Sequence, residues 1–525
     1  MMRNPSLCAA MFAALTASSL AGQSQTRLAD TSHALGTVHF ATSCRREVAP
    51  QFDHAVALLH SFEFGAAIQA FDNLLASDTT CSMAYWGIAL ARWTNPMSAG
   101  KRAPALLAQG RQAADAGARL SAAATPRERS YLAAVHRLYE DFEHTDQKSR
   151  ITQYERAMAE LVAQQPADTE AKIFYALALV ASASPTDKTY AHQRQAGAML
   201  EALWAKQPNH PGLAHYIIHA YDVPALAPHA AAAARRYAAI APAAAHALHM
   251  PSHTFTRLGL WESSARTNRR SVAVALRDSS IAEALHASDY MEYAYLQLER
   301  NSAAKAVLES LPALAQRFDP NAVTGAAPGS AGVFALAAIP ARYALERRAW
   351  KEAAALVPTP TAYPYAEAMT YFAHALGSTH LRKQDAARGD VDSLNQIHRR
   401  LLGSAEPYWA EQVDIERLGA QAWMELAAEK REEALAHMSE AAEREDATEK
   451  SAVTPGPLAP ARELLGDMLL EVGRPRDALV EYRRTLVKEP KRFRSVHGAW
   501  QAATAAGDRT AAARYASELR TVTLH

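Results

Sequence analysis

Apolar residues recur along this chain at helical spacing, in pairs of segments that are separated by short turns. The clearest pair lies late in the chain. Its defining positions are Leu465, Gly466, Leu469, Gly473, Ala478, Tyr482 and Pro490. Apolar residues three, four and seven positions apart share one face of a helix, and glycine and proline mark helix ends. The pattern predicts two antiparallel helices that pack through this apolar face.

The spacing of small and bulky positions in this pair matches the 34-residue tetratricopeptide repeat. Weaker copies lie earlier, at Ala55, Leu58, Ala67 and Phe71; at Met158, Leu161 and Pro166; and at Ala196, Leu200, Leu203 and Pro208. A single repeat cannot bury its own apolar face, so neighbouring repeats must stack. We therefore predict an all-α fold, a tetratricopeptide-like (TPR-like) α-solenoid of helix-turn-helix repeats.

Stretches rich in Gly, Pro and Ala interrupt the helical pattern at 318–332, 357–364 and 451–460. Such composition is typical of loops. We predict two helical lobes that divide near residue 325: an N-terminal lobe over 22–325, and a C-terminal lobe over 326–525 with repeats near 459–520.

Residues 1–21 have the features of a secretory signal peptide. Arg3 precedes an apolar stretch from Leu7 to Leu20, and small residues at Ser19 and Ala21 fit cleavage after Ala21. The alternative is an uncleaved membrane anchor, although the stretch is short for a span. We expect a periplasmic or secreted protein with no membrane span once the signal is removed.

Signal removal would leave two cysteines, Cys44 and Cys81. An even number of cysteines in an exported chain predicts a disulfide between them. The alternative is a pair of buried reduced thiols. Metal ligation by cysteine is disfavoured because the chain has no CxxC spacing.

The charges nearly balance, with 55 Lys plus Arg against 54 Asp plus Glu. Without a basic surplus we predict no nucleic-acid partner. The expected ligand is a small-molecule or peptide substrate, or a protein partner, in the concave groove of the solenoid. Motifs such as HExxH, GxSxG and the phosphate-binding glycine loops do not occur.

Histidine carries the sharpest chemical signal. His215 and His219 recur exactly one repeat length later as His249 and His253. Spacing of four residues puts both rings of a pair on one helix face, and the 34-residue period puts the two pairs at equivalent positions. Burying one imidazole without partners costs about 1–3 kcal/mol. Four buried imidazoles in one place therefore need shared hydrogen bonds, a metal ion or a solvent-filled pocket.

Imidazole nitrogen suits zinc, copper, iron and nickel, and export favours zinc or copper. Four histidines on one ion would make a closed structural site, whereas three and an open position would permit catalysis. His286 and Asp289, on the following helix, are predicted to complete the ligand set or to orient a ligand. Asp222 is predicted to lie beside the ligands.

Other residues near the pairs have plainer interpretations. Pro251 predicts a kink or a restart of the helix that carries His249 and His253. His210, His229 and His246 are expected to cap helices or to lie on the surface, with His246 also open as a site residue. His60 is expected to cap a turn or to line the concave face.

The chain resembles a bacterial family of exported tetratricopeptide-repeat proteins in six segments. They are HFATSC (39–44), AVALLHSF (55–62), CSMAYWGIA (81–89), HPGLAHYIIHAYD (210–222), HMPSHTFTRLG (249–259) and TPGPLAPARELLGDML (454–469). The resemblance implies the repeat fold and export, and it transfers no catalytic residue. Family members often carry a histidine just before the last segment, where this chain has Ser451 and Ala452, so we predict no ligand there.

Three functional hypotheses follow. The first is an exported metal-dependent enzyme, an oxidase or a hydrolase, with zinc or copper held by the histidines. The second is a peptide- or protein-binding scaffold in which the histidines are structural. The third is a metal store or carrier.

Overall fold

The computed structural model describes residues 34–98, 101–404 and 406–523. Within these ranges the regular structure is helical, with no β-strand. This confirms the predicted all-α class. The predicted signal peptide lies outside the described residues.

The helices follow one another through short turns. The first group is α1 (Ala49–His60), α2 (Phe64–Ser77), α3 (Ser82–Arg92), α4 (Pro104–Arg119), α5 (Pro126–Arg137), α6 (Gln147–Gln164), α7 (Thr169–Ser182) and α8 (Ala191–Trp204). The middle group is α9 (Pro211–Ala220), α10 (Ala231–Ile240), α11 (Ala245–His249), α12 (Pro251–Arg257), α13 (Trp261–Arg277), α14 (Ile281–Gln297), α15 (Asn301–Arg317) and α16 (Gly329–Glu346). The last group is α17 (Trp350–Ala353), α18 (Pro364–His380), α19 (Gln384–Gly403), α20 (Pro407–Ala427), α21 (Arg431–Ala447), α22 (Ala461–Glu471), α23 (Pro475–Lys488), α24 (Phe493–Ala505) and α25 (Arg509–Thr523).

Consecutive helices pack in pairs as the repeat pattern predicts, and the small positions explain how closely they approach. A Cβ atom at Gly466 would lie 2.9 Å from the ring of Tyr482, and one at Gly87 would lie 2.3 Å from the ring of Phe71. Both glycines therefore let an aromatic ring from the neighbouring helix lie against the backbone. TPR-like stacking of helical hairpins follows from this packing.

Loops lie at 318–328, 354–363 and 448–460, close to the predicted positions, but residues 329–332 of the first predicted loop begin helix α16. The first of these packs against the N-terminal repeats rather than standing free. The backbone N–H of Gly65 donates to the carbonyl of Thr324 at 2.8 Å, and the N–H of Ala327 donates to Glu283 Oε2 at 2.8 Å. The division into two lobes near residue 325 stays a prediction.

Helix α14 lies at the centre of the molecule, with every residue buried. A helix that is buried on all sides belongs to the interior of a large fold. The C-terminal repeats reach back to this region. Trp261 Nε1 donates to the carbonyl of Lys491 at 3.0 Å, and Tyr293 OH donates to Glu489 Oε2 at 2.6 Å.

Proline 251 divides the second histidine-bearing segment. Helix α11 ends at His249, and α12 begins at Pro251 in the first helical turn, where the missing N–H of proline costs nothing. The predicted restart at Pro251 is therefore what occurs. It places His249 and His253 on two short helices rather than on one.

Cys44 and Cys81 form a disulfide, as predicted. The bond joins the segment before α1 to the start of α3. In the described residues no helix combines the length and the apolar character that crossing a bilayer requires.

Candidate metal centre

Histidines from four helices meet in the interior, in two groups whose ring nitrogens lie within 4.8 Å of one another. The first trio is His215, His219 and His246, and the second trio is His249, His253 and His286. Helix α9 supplies two rings, α11 two, and α12 and α14 one each. All six side chains are buried.

In the first trio, two of the three imidazole rings donate a hydrogen bond from Nδ1 to an oxygen of a neighbouring residue. His215 Nδ1 donates to the backbone carbonyl of His60 at 2.6 Å, and His246 Nδ1 donates to Glu283 Oε1 at 3.0 Å. His215 Nε2 then lies 3.1 Å from His219 Nε2. His246 Nε2 is buried and has no hydrogen-bond partner among the described residues.

The second trio repeats this arrangement. His249 Nδ1 donates to Asn268 Oδ1 at 2.7 Å, and His253 Nδ1 donates to Asp222 Oδ2 at 2.8 Å. The two Nε2 atoms lie 3.0 Å apart. The ring of His286 lies 4.5 Å from that of His249, centre to centre, and its Nδ1 is buried without a partner.

These contacts fix the tautomers of His249 and His253. Asn268 donates its amide N–H to the carbonyl of Ser264 at 2.8 Å, so its oxygen faces His249, and the carboxylate of Asp222 can only accept. Both rings therefore carry their hydrogen on Nδ1. Two Nε2 lone pairs face each other at 3.0 Å, an arrangement that is repulsive unless a cation lies between them.

Burial keeps the rings neutral. It lowers the pKa of His215, His219 and His249 well below the ordinary value, and it lowers the pKa of His286 to about 3. Burial also lowers the pKa of His253, although Asp222 opposes the shift. Neutral imidazole is the form that binds metal.

A small cavity of about 30 Å³ opens onto both trios. Its lining includes His219 and His246 from the first trio and His253 and His286 from the second. Across the trios, the ring centres of His219 and His253 lie 6.0 Å apart. Metal ions held by the two trios would therefore share one cavity, which has room for one or two water-sized molecules.

Asp222 connects the second trio to the C-terminal repeats. Arg257 Nε donates to Asp222 Oδ1 at 3.0 Å, and Lys450 Nζ lies 3.5 Å from Oδ2. Burial alone would raise the pKa of Asp222, but Lys450 and Arg257 hold it well below its usual range. Tyr290 OH donates to the carbonyl of Thr454 at 2.9 Å, which fixes the 448–460 loop over the cluster.

A third cluster lies beside the first trio but has a different chemistry. His60 Nε2 and His210 Nε2 each donate to one oxygen of Glu170 at 2.9 Å, and Tyr216 OH lies 3.0 Å from His60 Nδ1. Every short contact here is an ordinary hydrogen bond between an imidazole and a carboxylate or phenol. We interpret this cluster as structural, and His60 neither caps a turn nor lines the groove.

The structure brings most of the predicted site residues together, with two corrections, which concern the duplicated pairs and Asp289. The four histidines of the duplicated pairs do not share one shell, because each pair belongs to a separate trio. His246, which was expected to cap a helix or lie on the surface and was also left open as a site residue, belongs to the first trio. Asp289 lies outside both trios, because it pairs with the fully buried Arg342 at 3.4 Å.

Asp222 contacts His253 as predicted, and His286 joins the second trio. Glu283 and Asn268 were not anticipated. Glu283 lies three residues before His286 on α14, a spacing that puts both on one face of the helix and was available as a signal.

No protein-family model and no curated protein matches this chain. Among solved structures, a monomeric mutant of IFIT1 with Gppp-AAAA is 11% identical with a TM-score of 0.39, covering 92% of this chain and 96% of the other. A human IFIT1 dimer with m7Gppp-AAAA is 11% identical with a TM-score of 0.37, covering 84% and 90%. Ypp1 is 8% identical with a TM-score of 0.47, covering 90% and 81%. At these values the similarities carry no argument about function.

Proposed function

We propose that the protein is a copper-dependent oxidase of small substrates, in which each histidine trio binds one copper ion. The observation that carries this proposal is the pair of Nε2 atoms of His249 and His253, which face each other at 3.0 Å with lone pairs on both. Two imidazoles bonded to one ion at 2.0–2.1 Å hold their nitrogens roughly 3.3 Å apart. A metal ion would therefore replace a repulsion with two bonds.

The contacts on the opposite side of each ring support the same proposal. Metal-bound histidines characteristically donate their other N–H to a carboxylate or a carbonyl. His215, His246, His249 and His253 all do so, to His60 O, Glu283, Asn268 and Asp222 respectively. The buried Nε2 of His246 has no hydrogen-bond partner among the residues that the structure describes, and a bound ion would supply one.

Copper suits the donor set better than zinc. Both trios consist of imidazoles alone, and among divalent ions copper binds nitrogen ligands most tightly. The small cavity also lacks a carboxylate on its lining, whereas metal-assisted hydrolysis commonly needs a general base near the bound water. A copper pair supplies one-electron and dioxygen chemistry, and the chain's own residues position the ions and exclude bulk water.

We also propose that the protein is exported from a bacterial cell, to the periplasm or beyond. The Cys44–Cys81 disulfide supports an oxidising compartment, and the six segments that resemble exported repeat proteins agree with it. Copper loading is compatible with that location.

The test is metal analysis of the purified chain after loading with copper and zinc in competition. We expect about two copper ions per chain in the wild type, and about one in either His215→Ala/His219→Ala or His249→Ala/His253→Ala. His136→Ala/His144→Ala, which changes two partly or fully exposed histidines outside the cluster, is the matched control and should retain both ions.

Electron paramagnetic resonance adds a test of proximity. Adjacent Cu(II) ions couple, so the integrated signal of the wild type should fall short of its copper content, while single-trio variants should give the full signal. Oxygen consumption with small reductants then distinguishes an oxidase from a store. If the chain binds zinc and no copper, the oxidase proposal is wrong and hydrolysis becomes the better hypothesis. If it binds no metal, the histidines are structural and the protein is better explained as a binding scaffold.

A further inference from the structure

A second and larger cavity, of about 110 Å³, lies on the C-terminal side of the first. It is enclosed mainly by α18, α20, α22 and the 448–460 loop. Tyr365 and Trp409 line both cavities, and their rings stack with centres 3.9 Å apart. This stacked pair therefore forms a partition between the histidine cavity and the larger one.

One face of α20 presents three polar groups to this region without satisfying them. Trp409 Nε1, Gln412 Nε2 and Glu416 Oε2 are each buried and have no hydrogen-bond partner in the ranges that the structure describes, and all three residues line the larger cavity. Their spacing of three and four residues puts them in a row on the helix. Leaving a buried polar group unpaired is destabilising, so three in one row indicate a ligand that would satisfy them.

Two carboxyls of the cavity, Glu416 and Glu445, are held largely in the protonated form near neutral pH, because burial penalises their charge. Within the described part of the chain no cation pairs with Glu416, and Glu445 accepts the backbone N–H of Ala461 at 3.1 Å. Burial raises the pKa of Glu416 to about 8 and that of Glu445 to about 7, with Lys488 opposing the second shift. Burial is the largest cause of both shifts.

The other charged residues on the lining are already paired within the protein. Lys488 pairs with Asp446 at 2.8 Å, Glu449 with Lys188 at 2.7 Å, and Glu489 accepts from Tyr293 OH at 2.6 Å. Arg257 and Lys450 both lie against Asp222. A cation bound between Glu416 and Glu445 would therefore supply the charge partner that they lack and favour their ionised form.

Aromatic side chains form the walls around these carboxyls. The aromatic lining comprises Phe334, Tyr365, Phe372, Tyr408 and Trp409. Aromatic faces attract organic cations, and the attraction is strongest where water is excluded. Such walls suit an organic cation better than a strongly hydrated metal ion.

We propose that the larger cavity binds a small organic ammonium compound that also carries a carbonyl oxygen. The ammonium group lies between Glu416 and Glu445, and the oxygen accepts from Gln412 and Trp409. Binding itself depends only on these contacts. Assignment of the compound as the substrate rests on the proposed function, because the Tyr365–Trp409 partition places it next to the histidine trios.

The test uses calorimetric titration of the full chain, metal-free and copper-loaded, with L-phenylalaninamide as the cationic probe. Its neutral counterpart is 3-phenylpropanamide, which lacks only the amino group. We expect the cation to bind both forms and the neutral amide to bind at least about tenfold more weakly. Equal affinity for the two amides, or no binding of the cation, would overturn the proposal.

Variants locate the binding. Glu416→Gln keeps the shape of the side chain and should lower the affinity for the cation by about tenfold or more. Glu433→Gln, at an exposed position on α21, should bind the cation with the affinity of the wild type. Gly419→Leu fills the cavity while leaving both carboxyls in place, and should abolish binding. Unchanged affinity in Glu416→Gln would disprove the site.

The two proposals fail separately. A chain that binds two coppers but not phenylalaninamide refutes only the cation site. A chain that binds phenylalaninamide but no metal refutes only the oxidase.

Discussion

Asp222 Oδ2 lies 2.8 Å from Nδ1 of His253, while Lys450 and Arg257 keep the same carboxyl ionised. One acidic side chain thus sets the tautomer of a ring in the second trio and ties that ring to the C-terminal half of the molecule. The His253 lone pair on Nε2 depends on this contact, because a ring hydrogen-bonded elsewhere could place its hydrogen on Nε2 instead.

Changing Asp222 to Asn should therefore weaken metal binding without removing a ligand. Contacts of this kind typically contribute 10- to 100-fold to metal affinity, so we expect a loss of about that size at the second trio and no change at the first. Competition titration with a copper chelator measures both sites. Asp392→Asn, at an exposed position of α19, is the control. Equal affinity in wild type and Asp222→Asn would contradict this role of the carboxyl.

The fold followed from local pattern because helical repeats are specified locally. The small position at Gly466 and the bulky one at Tyr482 encode a contact between neighbouring helices, and such contacts lie within one repeat of the sequence. Pro251 likewise revealed a helix restart, since its effect on the backbone is independent of distant residues. The repeat pattern gave no information about how the C-terminal half packs against α14, because those contacts join residues far apart in the sequence.

The site was harder to predict because its members come from several repeats. His215 and His249 were found through their period, but the period suggested that equivalent residues share one site. In the structure His246 reaches the first trio although it lies three residues before His249 on the same short helix. Asp289 was misplaced for a different reason: the buried guanidinium of Arg342 needs a carboxylate, and an unpaired charge there would be strongly destabilising.

The Cys44–Cys81 disulfide should contribute measurably to stability. It joins residues separated by 37 positions, for which the chain-entropy relation gives about 4 kcal/mol at 25 °C. We expect Cys44→Ser/Cys81→Ser to unfold at a lower temperature than the oxidised wild type, as followed by circular dichroism. A reductant should lower the midpoint of the wild type and leave the serine variant unchanged. Equal midpoints for oxidised wild type and variant would show that the bond adds nothing.

Glu416 should make the protein less stable as the pH rises. In the folded chain its pKa is raised from 4.5 to about 8 by burial, so between these values the folded state keeps a proton that the unfolded state has lost. The free energy of unfolding therefore falls as the pH increases through this window, and the contribution of Glu416 is lost above a pH of about 8.

Glu416→Gln removes that dependence. Without added ligand, we expect wild type and variant to melt at similar temperatures at about pH 4.5, and the variant to melt higher at about pH 8.5. Glu433→Gln should melt at the same temperature as the wild type at both pH values. If the variant is no more stable than the wild type at about pH 8.5, the ionised carboxylate of Glu416 must be stabilised by another group or by water in the folded protein.

Two glycines inside helices should respond oppositely to the same substitution. A Cβ atom at Gly419 of α20 would lie 3.6 Å from both Met438 and Phe372, which is ordinary contact, whereas one at Gly498 of α24 would lie 2.3 Å from the ring of Tyr482. Alanine in a helix interior is favoured over glycine by about 0.5–1 kcal/mol, so Gly419→Ala should raise the free energy of unfolding by that amount.

Gly498→Ala gains the same helical preference but forces the buried ring of Tyr482 to move. Overpacking of this kind costs about 1–3 kcal/mol, so the net effect should be destabilising. Denaturant unfolding of both variants beside the wild type measures the two changes under one condition. If Gly498→Ala were as stable as Gly419→Ala, α24 would have to lie farther from Tyr482 in solution than the close contact across Gly498 requires.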